Sequence, residues 1–381
     1  MPVHDLILAP LFWLVGFFLL WRIPPWSEGA AGGEDPAGES LPRISIVIPA
    51  RNEERRIPPL LQSLAGQTLT PQQVIVVDDH SSDGTADVAR QMGATLLPSE
   101  TMPAGWNGKP WACWQGAQHS TGEVLIFLDA DTWLEPAGLE KIVRVYLRRG
   151  GLLTVQPYHV TYKPYEQLSA FFNIVQVAGI NAFTALGERI RPSAGFGPCT
   201  VCSREEYLLV GGHQGVRTEI LEDIALARLF SRQKLPVTCY GGRGALSFRM
   251  YGEGLGQLVE GWSKGMGIGA FSIRPLFLLL TVAWVTGCFI AASALIRSLI
   301  APAWPAIWPP LVIYLAYACQ IGWMLGQIGR FRWWVAPLFP IPLLFFALVT
   351  LRSVIMTHVL GRVAWRGRTI PTSRRKGRWR S

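Results

Sequence analysis

Long runs of apolar residues at both ends of this chain place the strongest limit on its fold. Residues 6–21 contain no charged residue, and three similar runs lie in the C-terminal third of the sequence. They cover residues 275–296, 304–326 and 333–357. Each run approaches the roughly 20 residues that a membrane-spanning helix needs. The sequence therefore predicts one membrane helix within residues 1–25 and two to three more within residues 273–361.

The charge of the chain is distributed unevenly. A net charge of +9 would suggest a nucleic-acid partner, but from residue 261 onward there are 14 basic residues and no Asp or Glu. The rest of the chain is therefore mildly acidic, and we expect no nucleic-acid partner. Lys and Arg are retained on the cytoplasmic side of membrane helices. A basic tail at residues 362–381 should thus be cytoplasmic, where it either attracts anionic lipid headgroups or is simply disordered.

The same rule limits the number of membrane crossings. If the folded domain and the basic tail are both cytoplasmic, an even number of complete crossings follows residue 269. The run 333–357 contains three prolines and Arg352, so a re-entrant or interfacial segment is expected there. The predicted location is the cytoplasmic membrane, with several crossings and the folded domain facing the cytoplasm. A signal peptide is the alternative for residues 6–21, although no Lys or Arg precedes that run.

Residues 26–42, rich in Gly, Ala, Glu, Ser and Pro, predict a linker between the first helix and a folded domain at residues 43–253. The domain contains short, almost continuously apolar runs rich in β-branched residues, at 44–48, 74–77 and 124–128. Such runs are typical of strands buried on both faces of a parallel sheet. Helix-like segments at 53–64 and 83–92 lie between them, so the fold class is α/β with a mostly parallel sheet. Ligands bind at the carboxyl ends of the strands in such sheets.

After the folded domain, apolar residues recur at helical spacing between residues 254 and 269. This pattern predicts an amphipathic helix within residues 254–272 that lies in the membrane interface. Residues 165–186, also rich in large apolar side chains, are a second candidate for surface contact. An ordinary core helix is the alternative for that segment.

Carboxylates follow the first two predicted strands. The strand 44–48 leads into Pro49-Ala50-Arg51-Asn52-Glu53, and the strand 74–77 leads into Asp78 and Asp79. These groups could accept hydrogen bonds from a nucleobase and a ribose, which offer N–H and hydroxyl donors. The alternative is ordinary turn chemistry, since Asp, Asn, Ser and Gly are also common in loops.

The third predicted strand ends in Asp129-Ala130-Asp131. In an extended chain both carboxylates point the same way, which favours one divalent cation, Mg²⁺ or Mn²⁺, that bridges to a diphosphate. Lys109 is a candidate phosphate partner, with an ordinary surface lysine as the alternative. Glu222 and Asp223 precede the helix-like segment 224–233, where they act either as an N-cap or, for the second carboxylate, as a general base.

These motifs together carry a resemblance. The set PARNE, VVDDHSSDGT, DAD and LED, in this order and spacing, resembles family 2 glycosyltransferases of the GT-A fold over about residues 43–268. The resemblance implies an inverting transfer from a nucleotide sugar, a UDP-sugar being favoured, by direct displacement at the anomeric carbon. It implies that Asp129 and Asp131 bind the metal and the diphosphate, and that Asp223 is the general base. The residues that it implies to hold the donor nucleotide are Ala50, Glu53, Asp78, Asp79 and Asp129, and we add Lys109 to them as the candidate phosphate partner.

The chain departs from this family at the predicted interface helix. Many members carry a Gln-x-x-Arg-Trp motif there, whereas here Trp262 is present and the arginine is absent. We interpret Trp262 as a stacking residue and Lys264 as a substitute charge, and we add Glu222 as a further candidate near the acceptor. The missing arginine argues against processive polysaccharide synthesis.

Other segments resemble a bacterial subgroup associated with carotenoid glycosylation and, more distantly, ceramide glucosyltransferase. They are GPCTVCSREEYLLVGGH, GEGLGQLVEGWSKGMGIGA and WRGRTI. This likeness implies a membrane lipid acceptor, such as a carotenoid, a hopanoid or a related lipid. The alternatives are a polyprenyl-phosphate sugar synthase and a non-catalytic membrane scaffold.

Overall fold

The computed structural model describes residues 3–27, 41–219, 221–269, 273–300, 307–358, 362–365 and 368–371. The strands are β1 (Ile44–Ala50), β2 (Gln73–Asp78), β3 (Thr95–Pro98), β4 (Val124–Leu128), β5 (Thr132–Leu134), β6 (Leu152–Gln156), β7 (Tyr158–Val160), β8 (Cys199–Ser203), β9 (Val237–Gly241), β10 (Leu246–Phe248), β11 (Gly329–Arg330), β12 (Arg362–Trp365) and β13 (Arg368–Pro371). The α-helices are α1 (Val3–Leu19), α2 (Ile57–Ala65), α3 (Thr85–Gln91), α4 (Gly108–His119), α5 (Gly138–Arg149), α6 (Ala170–Gly179), α7 (Arg204–Leu209), α8 (Glu222–Arg232), α9 (Leu255–Gly269), α10 (Pro275–Ile300), α11 (Trp308–Ile328) and α12 (Pro340–His358).

A seven-stranded sheet forms the centre of the folded domain, in the order β3-β2-β1-β4-β8-β6-β9. Strands β3, β2, β1 and β4 are parallel to one another, and β8 is antiparallel to both of its neighbours. All five residues of β4 are buried, because both faces of the sheet are covered. The register pairs Ala50 with Asp78, so β1 and β2 end at the same edge of the sheet. The predicted α/β class with a mostly parallel sheet is confirmed.

Two predicted helices are shorter in the structure than the sequence suggested. Residues 53–56 form a turn, in which the backbone N–H groups of Arg56 and Ile57 both donate to the Glu53 carbonyl, and α2 begins only at Ile57. Helix α3 begins at Thr85, whose N–H donates to Asp83 Oδ1 at 3.1 Å. It ends just before Gly93, whose φ of +80° lies in the left-handed region that favours glycine.

A smaller sheet, in the order β11-β7-β10-β5, connects the domain to the apolar helices. Strand β11 directly follows α11 and pairs in parallel with β7. Helix α10 starts shortly after α9, so α10 leaves the domain and α11 returns to it. By length and composition, α10 and α11 are the helices of the described chain that could cross a membrane, while the apolar helices α1 and α12 are shorter.

The apolar helices share one core with the underside of the domain. Helix α6, within the segment 165–186, is buried in this core, so the alternative of a core helix holds there. Gln320 of α11 accepts from the Trp284 indole of α10 at 2.8 Å and donates to the Trp13 carbonyl of α1 at 2.7 Å. Helix α12 packs along α9, where Arg352 donates to Ser263 Oγ at 2.7 Å. This bond gives the arginine within the apolar run a polar partner.

The predicted linker and tail are described only in part. Trp26, the first residue of the predicted linker, is buried and stacks on Tyr240 with ring centroids 5.0 Å apart, so it belongs to the core of the domain. Residues 28–40 lie outside the described residues, as does most of the basic tail. Strands β12 and β13, at the start of that tail, pair as an antiparallel hairpin.

Candidate active site

Two loops at the carboxyl edge of the main sheet are bonded to each other. Asn52, with φ of 54°, accepts from the Ser82 backbone N–H at 2.8 Å, and its own N–H donates to Ser81 Oγ at 3.0 Å. The Glu53 N–H donates to Thr85 Oγ1 at 2.8 Å. The Asn, Ser and Thr side chains of these motifs therefore do perform turn chemistry. Their bonds fix the ends of β1 and β2, from which the candidate donor-binding carboxylates project.

The candidate nucleoside contacts differ in how far their hydrogen bonding is satisfied. Ala50 is buried and its carbonyl accepts from the Asp79 N–H at 2.8 Å. Asp79 Oδ2 accepts from Arg51 at 3.2 Å, and Glu53 pairs with Arg56 at 3.5 Å.

Asp78 is the exception among these carboxylates. Its Oδ1 is buried and has no hydrogen-bond partner among the described residues. Because buried acceptors are nearly always bonded, an unpartnered one at a strand end indicates a place for a ligand's donor.

The Asp-x-Asp motif is a turn, which corrects the expectation of an extended chain there. The Thr132 N–H donates to the Asp129 carbonyl at 3.2 Å, since the chain must bend to pass from β4 in the main sheet to β5 in the smaller one. The two carboxylates therefore face different neighbours. They still repel each other: burial, together with the charges of Asp129 and Glu53, raises the pKa of Asp131 to about 7.

Lys109 lies within this cluster of carboxylates. Its Nζ is 2.7 Å from Asp129 Oδ1 and 3.0 Å from Glu222 Oε1. Burial disfavours the ammonium charge, but the two carboxylates outweigh burial and hold the pKa of Lys109 well above its usual value. The neighbouring Gly108 begins α4, and a β-carbon there would lie 2.8 Å from Asp79 Oδ2. The absence of a side chain at Gly108 thus lets the start of α4 approach the end of β2.

Asp223 lies in the first turn of α8, next to Glu222. The predicted N-cap role is wrong for both residues, because the N-cap position is Leu221 and both carboxylates lie inside the helix. Burial and the neighbouring Glu222 charge raise the pKa of Asp223 to about 7. Asp223, Glu222, Lys109 and Asp129 line one small cavity. A carboxylate with a pKa near neutrality is suited to accept a proton at physiological pH.

The three residues predicted to lie near the acceptor are Trp262, Lys264 and Glu222. Trp262 is 4% exposed, stacks on Phe172 with ring centroids 4.8 Å apart, and donates to Ser169 Oγ at 3.1 Å. This packing gives its ring a structural role in joining α9 to α6. The side chain of Lys264 lies outside the described residues, and Glu222 is engaged by Lys109. The acceptor role of these three residues stays a prediction.

Sequence reasoning missed a group of residues on the other side of the Asp-x-Asp turn. The Arg249 backbone N–H donates to the Asp131 carbonyl at 3.4 Å, and the Arg249 side chain is paired with the buried Glu166. The available signal was weak, because Arg249 follows β10, a strand of three residues that periodicity does not reveal. Only the pairing of β10 with β5 brings this arginine to the site.

The parallel sheet, its acidic strand ends and the acidic start of α8 are those of a GT-A glycosyltransferase. Residues 45–201 match the model of the glycosyl transferase family 2 domain. The chain is 39% identical over 336 residues to 4,4'-diaponeurosporenoate glycosyltransferase of Staphylococcus haemolyticus (strain JCSC1435), covering 87% of this chain and 89% of that protein. The Staphylococcus aureus (strain MRSA252) enzyme of the same name is 38% identical over 335 residues, with the same coverage. The chain therefore belongs to glycosyl transferase family 2, and it is a glycosyltransferase.

A solved structure shares the fold over most of the chain. It is the mannosyltransferase PcManGT from Pyrobaculum calidifontis, in complex with GDP-Man and Mn²⁺. The TM-score is 0.54 at 18% identity, over 91% of this chain and 97% of that one. The resemblance inferred from the motifs, to family 2, to the GT-A fold and to the carotenoid subgroup, is confirmed.

Proposed function

We propose that this glycosyltransferase transfers a hexose, with inversion and with a divalent metal, from a UDP-sugar to a lipid acceptor held in the membrane. A carotenoid, a hopanoid or a related lipid is the expected acceptor. The observation that carries the proposal is the position of Asp223, whose carboxyl lines the same small cavity as Asp129 and Lys109. A proton acceptor thereby lies beside the residues expected to hold the diphosphate.

The donor nucleoside is held at the ends of β1 and β2. Asp78 Oδ1, which is buried without a partner among the described residues, accepts a hydrogen bond from the base or the ribose. Ala50, Glu53 and Asp79 form the rest of this subsite. Lys109 contributes positive charge toward the diphosphate, as its ammonium is held in the charged form by Asp129 and Glu222.

The carboxylates of Asp129 and Asp131 fit a divalent ion that is completed by the substrate. Among the described residues, no three His, Cys, Asp or Glu side chains are grouped to hold a metal by themselves. Mg²⁺ often takes only one or two protein carboxylates together with substrate phosphates. Burial, followed by the charges of Asp129 and Glu53, raises the pKa of Asp131, and a bound cation would stabilise its ionised form. A bound Mg²⁺ or Mn²⁺ would neutralise charge that develops on the departing diphosphate.

Asp223 acts as the general base in the transfer. Its carboxylate takes the proton of the acceptor hydroxyl while that oxygen attacks the anomeric carbon and the bond to the UDP oxygen breaks. The sugar inverts because the nucleophile enters opposite the leaving group. Burial and, after it, the Glu222 charge keep the pKa of Asp223 high, so the base is matched to a neutral medium.

The apolar helices present the acceptor to this site. Helices α10 and α11 are long enough to cross a membrane, and β11 brings the chain back to the domain through its pairing with β7. One crossing by α1 and two by α10 and α11 keep the domain and the basic tail on the same, cytoplasmic side. In this arrangement α9 and α12 lie at the interface, and the tail faces anionic lipid headgroups.

Two alternatives are weaker. A polyprenyl-phosphate sugar synthase has a phosphate acceptor that needs no base, and the neutral-range pKa of Asp223 favours a hydroxyl acceptor instead. A non-catalytic scaffold is disfavoured by 39% identity to a named glycosyltransferase.

The test is a transfer assay. Purified protein with Mn²⁺ is incubated with radiolabelled UDP- and GDP-sugars and total membrane lipid, with an Asp131→Ala variant as control. Label that enters the organic phase only with the parent protein supports the proposal. An absence of transfer from every donor, with nucleotide still bound and candidate lipids present, would refute a lipid acceptor.

A further inference from the structure

Two arginines stand together where the folded domain meets the end of α11. Arg243 lies in the turn between β9 and β10, and Arg330 lies in β11, directly after α11. Both are exposed. They meet at Tyr158 of β7: burial raises the pKa of its phenol, while the charges of Arg243 and Arg330 act to lower that pKa. Two guanidinium groups from separate parts of the chain therefore lie close to one hydroxyl.

The fold uses little of the hydrogen-bonding capacity of this pair. Arg243 Nη1 donates to the Gly326 carbonyl of α11 at 3.3 Å, and the Tyr158 hydroxyl donates to the same carbonyl at 3.5 Å. Carbonyls in the last turn of a helix have no partner within it, so these bonds complete the end of α11. The other nitrogens of Arg243 and the whole guanidinium of Arg330 have no hydrogen bond or carboxylate partner among the described residues. The charge of the pair is therefore available to an anion.

Exposed tryptophans mark the level of the membrane surface beside the pair. Trp21, just after α1, is 52% exposed and Trp323 of α11 is 38% exposed, with ring centroids 6.3 Å apart. Tryptophan is enriched at the boundary between membrane and water. Gly326 follows Trp323 by three residues, which is about 4.5 Å along a helix axis. Because the polar headgroup layer is about 5–8 Å thick on each side of a bilayer, Arg243 lies at the depth of the lipid phosphates.

The chain after β11 continues with exposed cationic and aromatic side chains. Arg332 is exposed, and its Nη2 donates to the Tyr162 carbonyl at 3.1 Å. Like the arginine pair, it has no carboxylate partner in the described part of the chain. The next residue, Trp333, is 84% exposed. Positive charge beside exposed indole rings suits a surface that is anionic outside and apolar within, which is a membrane of anionic lipid rather than a soluble anion.

We propose that Arg243 and Arg330 bind the phosphate of an anionic phospholipid and thereby hold the folded domain against the membrane. The guanidinium group presents paired N–H donors that match the geometry of a phosphate. This lipid is neither the donor nor the acceptor of the transferred sugar, and its site is separate from the basic tail. The inference rests on the membrane placement of α1, α10 and α11 in the proposed function.

The experiment measures which lipid the full chain retains. The parent protein, in detergent micelles that contain equal amounts of phosphatidylglycerol and phosphatidylcholine, is examined by native mass spectrometry, and the ratio of the two lipids in the first bound state is recorded. We expect phosphatidylglycerol to be preferred by about fivefold for each arginine that it engages. Arg243→Gln and Arg330→Gln should each lower the ratio by about this factor, and the double variant should lower it further.

These substitutions are chosen to leave the fold intact. Gln at position 243 keeps an N–H donor for the Gly326 carbonyl, and the Arg330 side chain has no hydrogen bond to lose. Arg90→Gln is the matched control, because Arg90 is also an exposed arginine. It belongs to α3, which packs beside β2 and β3, and β2 lies five strand spacings from β9, about 24 Å. Hydrolysis of UDP-sugar without acceptor should be unchanged in all of these variants, since none alters the donor site.

The outcomes separate three sources of a lipid preference. Equal retention of both lipids by the parent protein would overturn the proposal. So would a preference that survives the double variant and disappears when the basic residues between 374 and 380 are replaced by Gln, because the tail would then bind the lipid. Displacement of phosphatidylglycerol by millimolar glycerol 3-phosphate would also overturn it, since a soluble phosphate would then suffice. A preference that is lost in the double variant and kept in Arg90→Gln supports it.

The membrane placement itself is tested separately. A parent protein that stays in solution after detergent is removed, with no lipid added, would count against the membrane helices of the proposed function. That result does not depend on the ratio of the two lipids.

Discussion

The two sides of the Asp-x-Asp turn contrast in how their charges are balanced. On the Asp129 side, one lysine is shared between two carboxylates at 2.7 and 3.0 Å, and Asp223 stands beside them in a small cavity. On the Asp131 side, a cavity of about 790 Å³ exposes cations without carboxylate partners. The first side resembles a preorganised catalytic cluster, in which each charge is already fixed. The second side resembles a binding surface that a ligand must complete.

The largest loss of transfer activity is expected on the Asp129 side, from a change at Asp223. Asp223→Asn keeps the size of the side chain but removes its capacity to accept a proton. Transfer to a hydroxyl acceptor should fall by about 100-fold to 10,000-fold, measured as kcat in the lipid transfer assay, while the Kd for nucleotide changes little. Asp87→Asn, an exposed carboxylate that pairs with Arg90 on α3, is the matched control. Transfer at the parent rate would show that Asp223 is not the base.

A smaller loss is expected when the shared cation is removed. Lys109→Met leaves Asp129 and Glu222 facing each other without the ammonium between them, and it removes positive charge near the diphosphate. Hydrolysis of UDP-sugar without acceptor should drop by about 100-fold, the loss typical of one preorganised electrostatic contact. Lys109→Arg should recover part of the rate. Equal rates for the parent and the methionine variant would contradict a role for Lys109 toward the donor.

The pH dependence of kcat for transfer tests the base on the Asp129 side. Because Asp223 has a raised pKa of about 7 and acts when deprotonated, kcat for transfer should rise with pH through that value and level off above it. Glu222→Gln removes a negative neighbour that raises this pKa, so the rise should move to lower pH. Rates recorded between pH 5 and 9 on parent and variant check the direction. A rise that stays in place, or moves to higher pH, would mean that Glu222 does not control the base.

The two sides also differ in how far their residues could be predicted from the sequence. The carboxylates at the carboxyl edge of the main sheet follow β1, β2 and β4, which are apolar enough to be recognised as buried strands, so their meeting at one sheet edge is predictable. Lys109 and Asp223 belong to separate helices, and their separation from Asp129 depends on how α4 and α8 pack. The pattern of residues along the chain does not show how two helices pack. For this reason the position of Lys109 between Asp129 and Glu222, and the position of Glu222 inside α8, were not predicted.

The Asp131 side is built from contacts between residues far apart in the chain, which no local sequence pattern predicts. Arg249 and Glu166 are 83 residues apart in the chain, and their ion pair depends on short strands of the smaller sheet. The turn at Asp129 was also missed, because alternation within a strand does not reveal where the chain leaves one sheet for another. The apolar helices could be predicted, since length and hydropathy alone define them. The return of α11 through the pairing of β11 with β7 could not.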